Sequence, residues 1–167
     1  DRVNQFLAEI PYRNSLTFIV TMNNLSVTSL ENLFAGILGL RRCYSSTYQR
    51  VWFDTPVLRE PAWQSLQILP ESYAEKLEHL WAWMLRQAET VERPFHGFKD
   101  YEMARLDRDI AWMRAGQKMD PKLRQQHQAD FYRFFAEHDR RRGTDFLKTF
   151  PEMQAWWDEC AYYARTT

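Results

Sequence analysis

The sequence predicts an α/β front half with parallel strands joined to a mostly helical back half, and three observations carry that expectation. Leu16 to Met22, LTFIVTM, is a short apolar, β-branched run bounded by polar residues, the pattern of a strand buried in a parallel sheet. An amphipathic stretch follows, and strand character returns at Arg50 to Phe53, so the order strand, helix, strand describes a βαβ unit. From Lys99 onward the apolar residues recur at helical spacing alone.

Taken in order, Val3, Phe6, Leu7 and Ile10 mark an amphipathic helix at the start. After the first strand, Thr28 and Glu31 have the spacing of a capping box, and Leu30, Leu33, Phe34, Ile37 and Leu38 form the stripe of the helix it opens. Gly39 is suited to end that helix in the left-handed conformation. Leu66 to Leu69 is expected as a further short strand. Pro70 and Glu71 then open a long helix whose stripe is Leu77, Leu80, Trp81, Met84 and Leu85. A turn at Arg93 to Gly97 leads into Lys99 to Ala115, with Met103, Leu106, Ile110 and Met113 inward, and into Pro121 to Arg142, started by Asp120 as N-cap with Pro at the first helical position. Thr149 and Glu152 form a second capping-box pattern, and the last helix is expected to bury Met153, Trp156, Trp157 and Cys160. The seam between the halves falls at Glu89 to Gly97, which divides the chain into residues 1–92 and 93–167.

With 167 residues, 45% hydrophobic and 26% charged, the chain is long and apolar enough for a real core, which excludes disorder. Lys plus Arg (22) equal Asp plus Glu (22), so no global field draws it to nucleic acid or to an anionic membrane. No run approaches the roughly 18 consecutive apolar residues of a membrane helix, and DRVNQFLAEIPYRNS lacks a signal-peptide layout. The expected setting is cytoplasmic, with neither a nucleic-acid nor a membrane partner.

Several residue types that suggest chemistry read more simply as structure. Cys43 and Cys160 are far apart and are expected to be small core residues. Gly36 and Gly39 lie inside a helix, not after a strand, which argues against a phosphate loop. His127 and His138 share a helix face at a separation of about 16 Å, too far to share a metal ion. Arg140 to Arg142 occupy a last helical turn, where cations complement the dipole. Between Lys99 and Asp109 the charges alternate in sign, and Glu102 with Arg105, or Arg105 with Asp109, is expected to pair on a solvated face.

Two stretches remain, Thr21 to Asn24 and Asp54 to Arg59, at the carboxyl ends of the two predicted parallel strands, where ligands gather in open sheets and barrels. Asn23 and Asn24 either donate and accept at a nucleoside or cap the turn. Arg59 and Glu60 read most plainly as a surface ion pair and Trp63 as a core aromatic, in a segment crowded by Pro56, Pro61 and Pro70.

The segments LTFIVTMNNLS, YQRVWFDTPVLREPAWQSLQILP and FYRFFAEHDRRRGTDFLKTFPEMQAWW together resemble the carboxyl-terminal half of twitch-type radical S-adenosylmethionine proteins. The resemblance covers nearly the whole chain in consistent order: a strand ending in Asn, a TP.LR.P.WQS...LP strip after the next strand, and a late D..R.T.F...FPE element. It implies a partial (β/α) barrel, related to the TIM barrel. In such proteins three cysteines of a CxxxCxxC loop hold a [4Fe–4S] cluster, which reduces S-adenosylmethionine to a 5′-deoxyadenosyl radical that abstracts hydrogen from substrate. By resemblance, Asn23, Asn24, Leu58 and Arg59 lie beside the cofactor, and Glu60, Trp63, Gln64 and Ser65 lie on the substrate side. Arg59 suits a carboxylate, that of the methionine group or of Glu60, because its planar fork pairs bidentately.

Neither Cys43 nor Cys160 belongs to a CxxxCxxC loop. The expectation is therefore that the chain begins inside the barrel, that its chief partner is the missing amino-terminal part of the same protein, and that alone it is inert in radical generation. The other reading is a non-catalytic, aromatic-rich helical module that docks a protein or peptide through Trp81, Trp83, Trp156 and Trp157.

Overall fold

The computed structural model describes residues 2–167. The elements are α1 (Arg2–Glu9), β1 (Leu16–Ile19), α2 (Leu30–Tyr44), β2 (Val51–Asp54), α3 (Glu71–Arg86), α4 (Asp100–Ala115), α5 (Pro121–Arg142), α6 (Phe146–Thr149) and α7 (Gln154–Thr166). With 66% of the structure helical, helices rather than the sheet provide most of the packing surface. The two strands pair in parallel, from Leu16 opposite Val51 to Ile19 opposite Asp54, with α2 between them in the chain, so the predicted βαβ unit is present. No described helix is long and apolar enough to cross a membrane.

The sheet is smaller and wetter than its sequence suggests. Val51 and Phe53 of β2 are buried, but Thr17 and Ile19 of β1 face out, and Ile19 is 74% exposed. A β-branched apolar run thus has one face covered rather than two. Leu66 to Leu69 is not a strand: Leu66–Ile68 is a 3-10 turn. Its apolar side chains are fully buried, and its carbonyls are satisfied by side chains instead of a ladder, Gln128 Nε2 to Ile68 O at 3.1 Å and Arg124 Nη2 to Leu69 O at 2.7 Å. A short apolar run fits either outcome, and those helix side chains decide it.

Helix α2 buries Leu30, Phe34, Ile37 and Leu38, as its stripe predicts, but both predicted ends change. A 3-10 turn, Ser26–Thr28, precedes it, and the Thr28 hydroxyl donates to the Leu25 carbonyl at 3.1 Å, so no capping box forms. Gly39 is passed in helical conformation because Arg41, two residues on, continues the stripe and is fully buried. Its guanidinium donates to Glu102 twice, at 2.9 and 2.5 Å, to the Val51 carbonyl at 3.0 Å and to the Gly97 carbonyl at 2.7 Å.

That pairing corrects the solvated face expected on α4. Glu102 and Asp109 are both buried, seven residues apart on the same side of the helix, each four residues before an apolar member of that side, Leu106 and Met113. Glu102 also accepts from the Lys99 N–H at 3.0 Å, closing the start of α4. Arg105 turns away from both carboxylates and pairs with Asp54 at 2.5 Å.

The back half follows its sequence closely. Asp120 accepts from the Leu123 N–H at 3.0 Å at the start of α5, and Gly143 ends it at φ 64°. The second capping box does not form; Asp145 instead caps α6, and Pro151–Met153 makes a 3-10 turn before α7. α7 packs along α5 through Trp156 on Phe131 (4.4 Å between centroids) and Trp157 on Tyr132 (4.6 Å). Cys160 is buried as expected, whereas Cys43 is exposed on α2. One buried cluster runs from Leu7 through Phe34, Phe53 and Phe98 to Phe131 and Trp156, and so draws on residues both before and after position 92.

Candidate site at the carboxyl ends of the strands

Pairing between the strands continues past their regular segments. The Val20 N–H donates to Asp54 O at 2.8 Å, Met22 N–H to Pro56 O at 2.8 Å, and Leu58 N–H to Met22 O at 2.9 Å, with Met22 bridged to Val57 in parallel. The two tips therefore leave the sheet side by side. A 3-10 turn, Ala62–Gln64, then folds back onto the first tip: Asn24 N–H donates to Gln64 O at 3.1 Å, and Asn24 Nδ2 donates to Trp63 O at 2.9 Å.

Six of the eight sequence-predicted site residues fall on these two tips in direct or near-direct connection. Asn24 is fully buried and its Oδ1 has no hydrogen-bond partner, which is costly for a buried acceptor. Asn23 is engaged in its own turn, Oδ1 accepting from the Leu25 and Ser26 N–H groups at 2.8 and 3.0 Å, the simpler role foreseen for an Asn at a strand end. Leu58 joins the tips through its backbone. Trp63 and Gln64 contribute the carbonyls that hold Asn24, and Ser65 is buried, accepting from Gln67 N–H at 3.2 Å.

Arg59 and Glu60 are exposed and do not form an ion pair with one another. The Arg59 guanidinium lies 5.2 Å above the Trp112 ring, an arrangement that leaves its planar fork free. Trp63, the expected core aromatic or substrate wall, is half-buried against Phe134 of α5 at 4.4 Å and Phe135 at 6.2 Å.

Below the β2 tip, α4 supplies a charged group the sequence reading placed in solvent. Asp109 is fully buried, and burial pushes its carboxyl above the usual aspartate range while the Arg108 guanidinium on Oδ1 pulls it back; Oδ2 has no hydrogen-bond partner. Arg108 Nη2 reaches Asp109 Oδ1 at 2.9 Å and the Thr55 carbonyl at 3.1 Å, so it ties α4 to the end of β2. The signal was present: Asp109 lies three residues after Leu106 and four before Met113, on the apolar stripe.

The described residues contain no group of three or more His, Cys, Asp or Glu side chains able to hold a metal ion. Burial also pushes the Cys160 thiol far above the usual cysteine range, which suits a packing residue and not a thiolate ligand. Compared with protein-family models, with curated proteins and with solved structures, the chain gives no match.

Proposed function

We propose that this chain is the late part of a radical S-adenosylmethionine-type partial barrel, whose two strand tips form one wall of the S-adenosylmethionine pocket. The single observation that carries the proposal is the side-by-side exit of the tips, with Asn24 clamped to Trp63 and Gln64, since ligands of parallel sheets bind outside the carboxyl ends of adjacent strands. The outward-facing Thr17 and Ile19 add support, because an apolar, β-branched strand with a bare face in a two-stranded sheet is suited to further covering structure.

In that pocket buried Asn24 holds the adenosine wall in shape from behind through its bond to the Trp63 carbonyl, Leu58 lines the wall, and Arg59 takes the methionine carboxylate in its planar fork. Asn23 shapes the turn, while Glu60, Trp63, Gln64 and Ser65 form the substrate side. The cluster itself does not fit these residues. It requires three thiolates, and the chain offers one exposed Cys on α2 and one buried Cys on α7. The cluster loop therefore belongs to a part of the protein outside this chain, which on its own would not generate a radical. When bound, cluster and S-adenosylmethionine supply one-electron chemistry that no side chain provides.

A docking module built on Trp81, Trp83, Trp156 and Trp157 has less support. Trp156 is buried and the other three pack against the core, Trp83 on Phe98 at 5.4 Å. The deciding experiment joins the chain to its upstream region and reconstitutes the cluster without oxygen. Reductant-dependent release of 5′-deoxyadenosine is expected, with Arg59→Ala raising KM for S-adenosylmethionine roughly tenfold or more, as loss of a charged hydrogen bond does. A fully loaded protein that leaves S-adenosylmethionine intact would overturn the proposal.

A further inference from the structure

Along α5, next to the Phe134 ring that Trp63 packs against, Arg133, Phe134, Glu137, His138, Arg141 and Arg142 line a concave space of about 500 Å³. That volume is in the range of small-molecule sites. Phe134 packs against Trp63 at 4.4 Å with the ring planes tilted by 34°, yet remains 45% exposed, so part of the ring is supported by the tip segment while another part stays open. His138 lies nearly parallel to Phe134, with 24° between the ring planes.

The charges are unevenly compensated. Glu137 is the one carboxylate among the lining residues, and both of its oxygens are taken by Arg140 and Arg141 at 2.6 to 2.7 Å. Those two guanidiniums hold its carboxyl down at about 2, so it stays ionised and committed to them. Arg133 pairs with Asp130 at 3.2 Å and donates to the Ala164 carbonyl at 3.1 Å. Arg142 has no acidic partner among the described residues. In a chain whose formal charge is zero, this space gathers three arginines around one neutralised carboxylate and an open ring.

We propose that this space is a binding site for a small planar ring bearing a phosphate or carboxylate group, with the ring on Phe134 and the anionic head on Arg142. An open aromatic face binds a ring through stacking, and an uncompensated guanidinium binds either head group bidentately. Phosphate and carboxylate share that chemistry, and the site is concave with room for one such ring, unlike the extended groove that tracks a nucleic-acid strand. It does not depend on radical chemistry, so the chain alone is the material for the test.

Binding is measured by calorimetry with naphthyl phosphate, naphthoate, naphthol and inorganic phosphate. At least one of the ring-bearing anions is expected to bind roughly tenfold or more tightly than naphthol or inorganic phosphate, and comparison of the two anions identifies the preferred head group. Arg142→Gln, at an exposed helix end where folding is not at risk, is expected to weaken the preferred anion by roughly tenfold; Phe134→Leu is expected to weaken it as well, with circular dichroism reporting whether the fold is kept. No preference for a ring-bearing anion, no effect of Arg142→Gln, or binding of a single-stranded oligonucleotide but of neither naphthalene anion would overturn the proposal.

Discussion

At the scale of single residues, the buried charges of α4 dominate. Arg41 and Glu102 have fully buried side chains and satisfy one another with two hydrogen bonds. Removing one partner leaves an uncompensated charge, so Glu102→Ala is expected to lower unfolding stability by about 3–5 kcal/mol, while the double replacement Arg41→Met with Glu102→Leu costs less; urea unfolding of the three proteins checks the order. Asp109 ties stability to pH through its burial. Because its folded-state pKa is raised above the unfolded value, the folded protein holds its proton more tightly, and stability falls as pH rises between those two values. Asp109→Asn is therefore expected to be more stable than the parent at neutral pH, with the gap closing in acid; thermal unfolding at a series of pH values measures it, and a pH-independent gap would contradict the burial argument. The two thiols make a third contrast. Cys43 is exposed, whereas burial keeps Cys160 protonated and inaccessible, so a thiol reagent is expected to label Cys43 alone until denaturant is added.

At the scale of elements, the helix ends separate local signals that hold from those that tertiary packing overrides. Asp120 and Pro121 start α5 as the sequence predicts because an N-cap and a fixed φ each act within one turn, and the left-handed stop at Gly143 is equally local. Asp120→Ala is expected to cost about 1 kcal/mol and Gly143→Ala about 1–2 kcal/mol, since Gly143 sits at φ 64°. Glu31 has the same apparent capping spacing but caps nothing, so Glu31→Ala is expected to change stability by no more than about 0.5 kcal/mol. Chemical denaturation of the three variants distinguishes the working caps from the apparent one. Gly39 departs from its local signal for a related reason: a glycine can stop a helix, but the buried Arg41 two residues later favours continuing it.

At the scale of the whole molecule, one apolar cluster joins the βαβ unit to the helices that follow, and the strand tips meet α4 and α5 at their carboxyl ends. The two-stranded sheet has an open edge on each strand, a condition in which strands are marginally stable unless packing supports them. If β1 lies beside further strands of a barrel, its backbone amides are expected to exchange with solvent markedly more slowly in the extended protein than in this chain. Hydrogen exchange followed by mass spectrometry measures the difference, and equal rates would argue against a neighbouring strand.

The amino-acid sequence by itself determined the order of the two strands and the long helices, the apolar stripes of α2 and α4, the ends of α5, and the placing of Asn24 and Arg59 at the tips of neighbouring parallel strands, whereas the stripe of α3 runs through Tyr73, Leu77, Leu80 and Met84 and leaves Leu85, expected inward, 50% exposed. Those features follow from interactions within a turn or from the periodicity of one helix or strand, which a linear reading contains. Only the tertiary structure decided that Leu66–Ile68 coils instead of extending, that Glu102 and Asp109 turn inward, and that Phe134 supports Trp63. Each of these depends on a partner far along the chain, Gln128 and Arg124 for the turn, Arg41 for Glu102, and the tip segment for α5. A charge is stable in the interior only when such a partner is brought to it, and local spacing carries no record of which distant residue that will be.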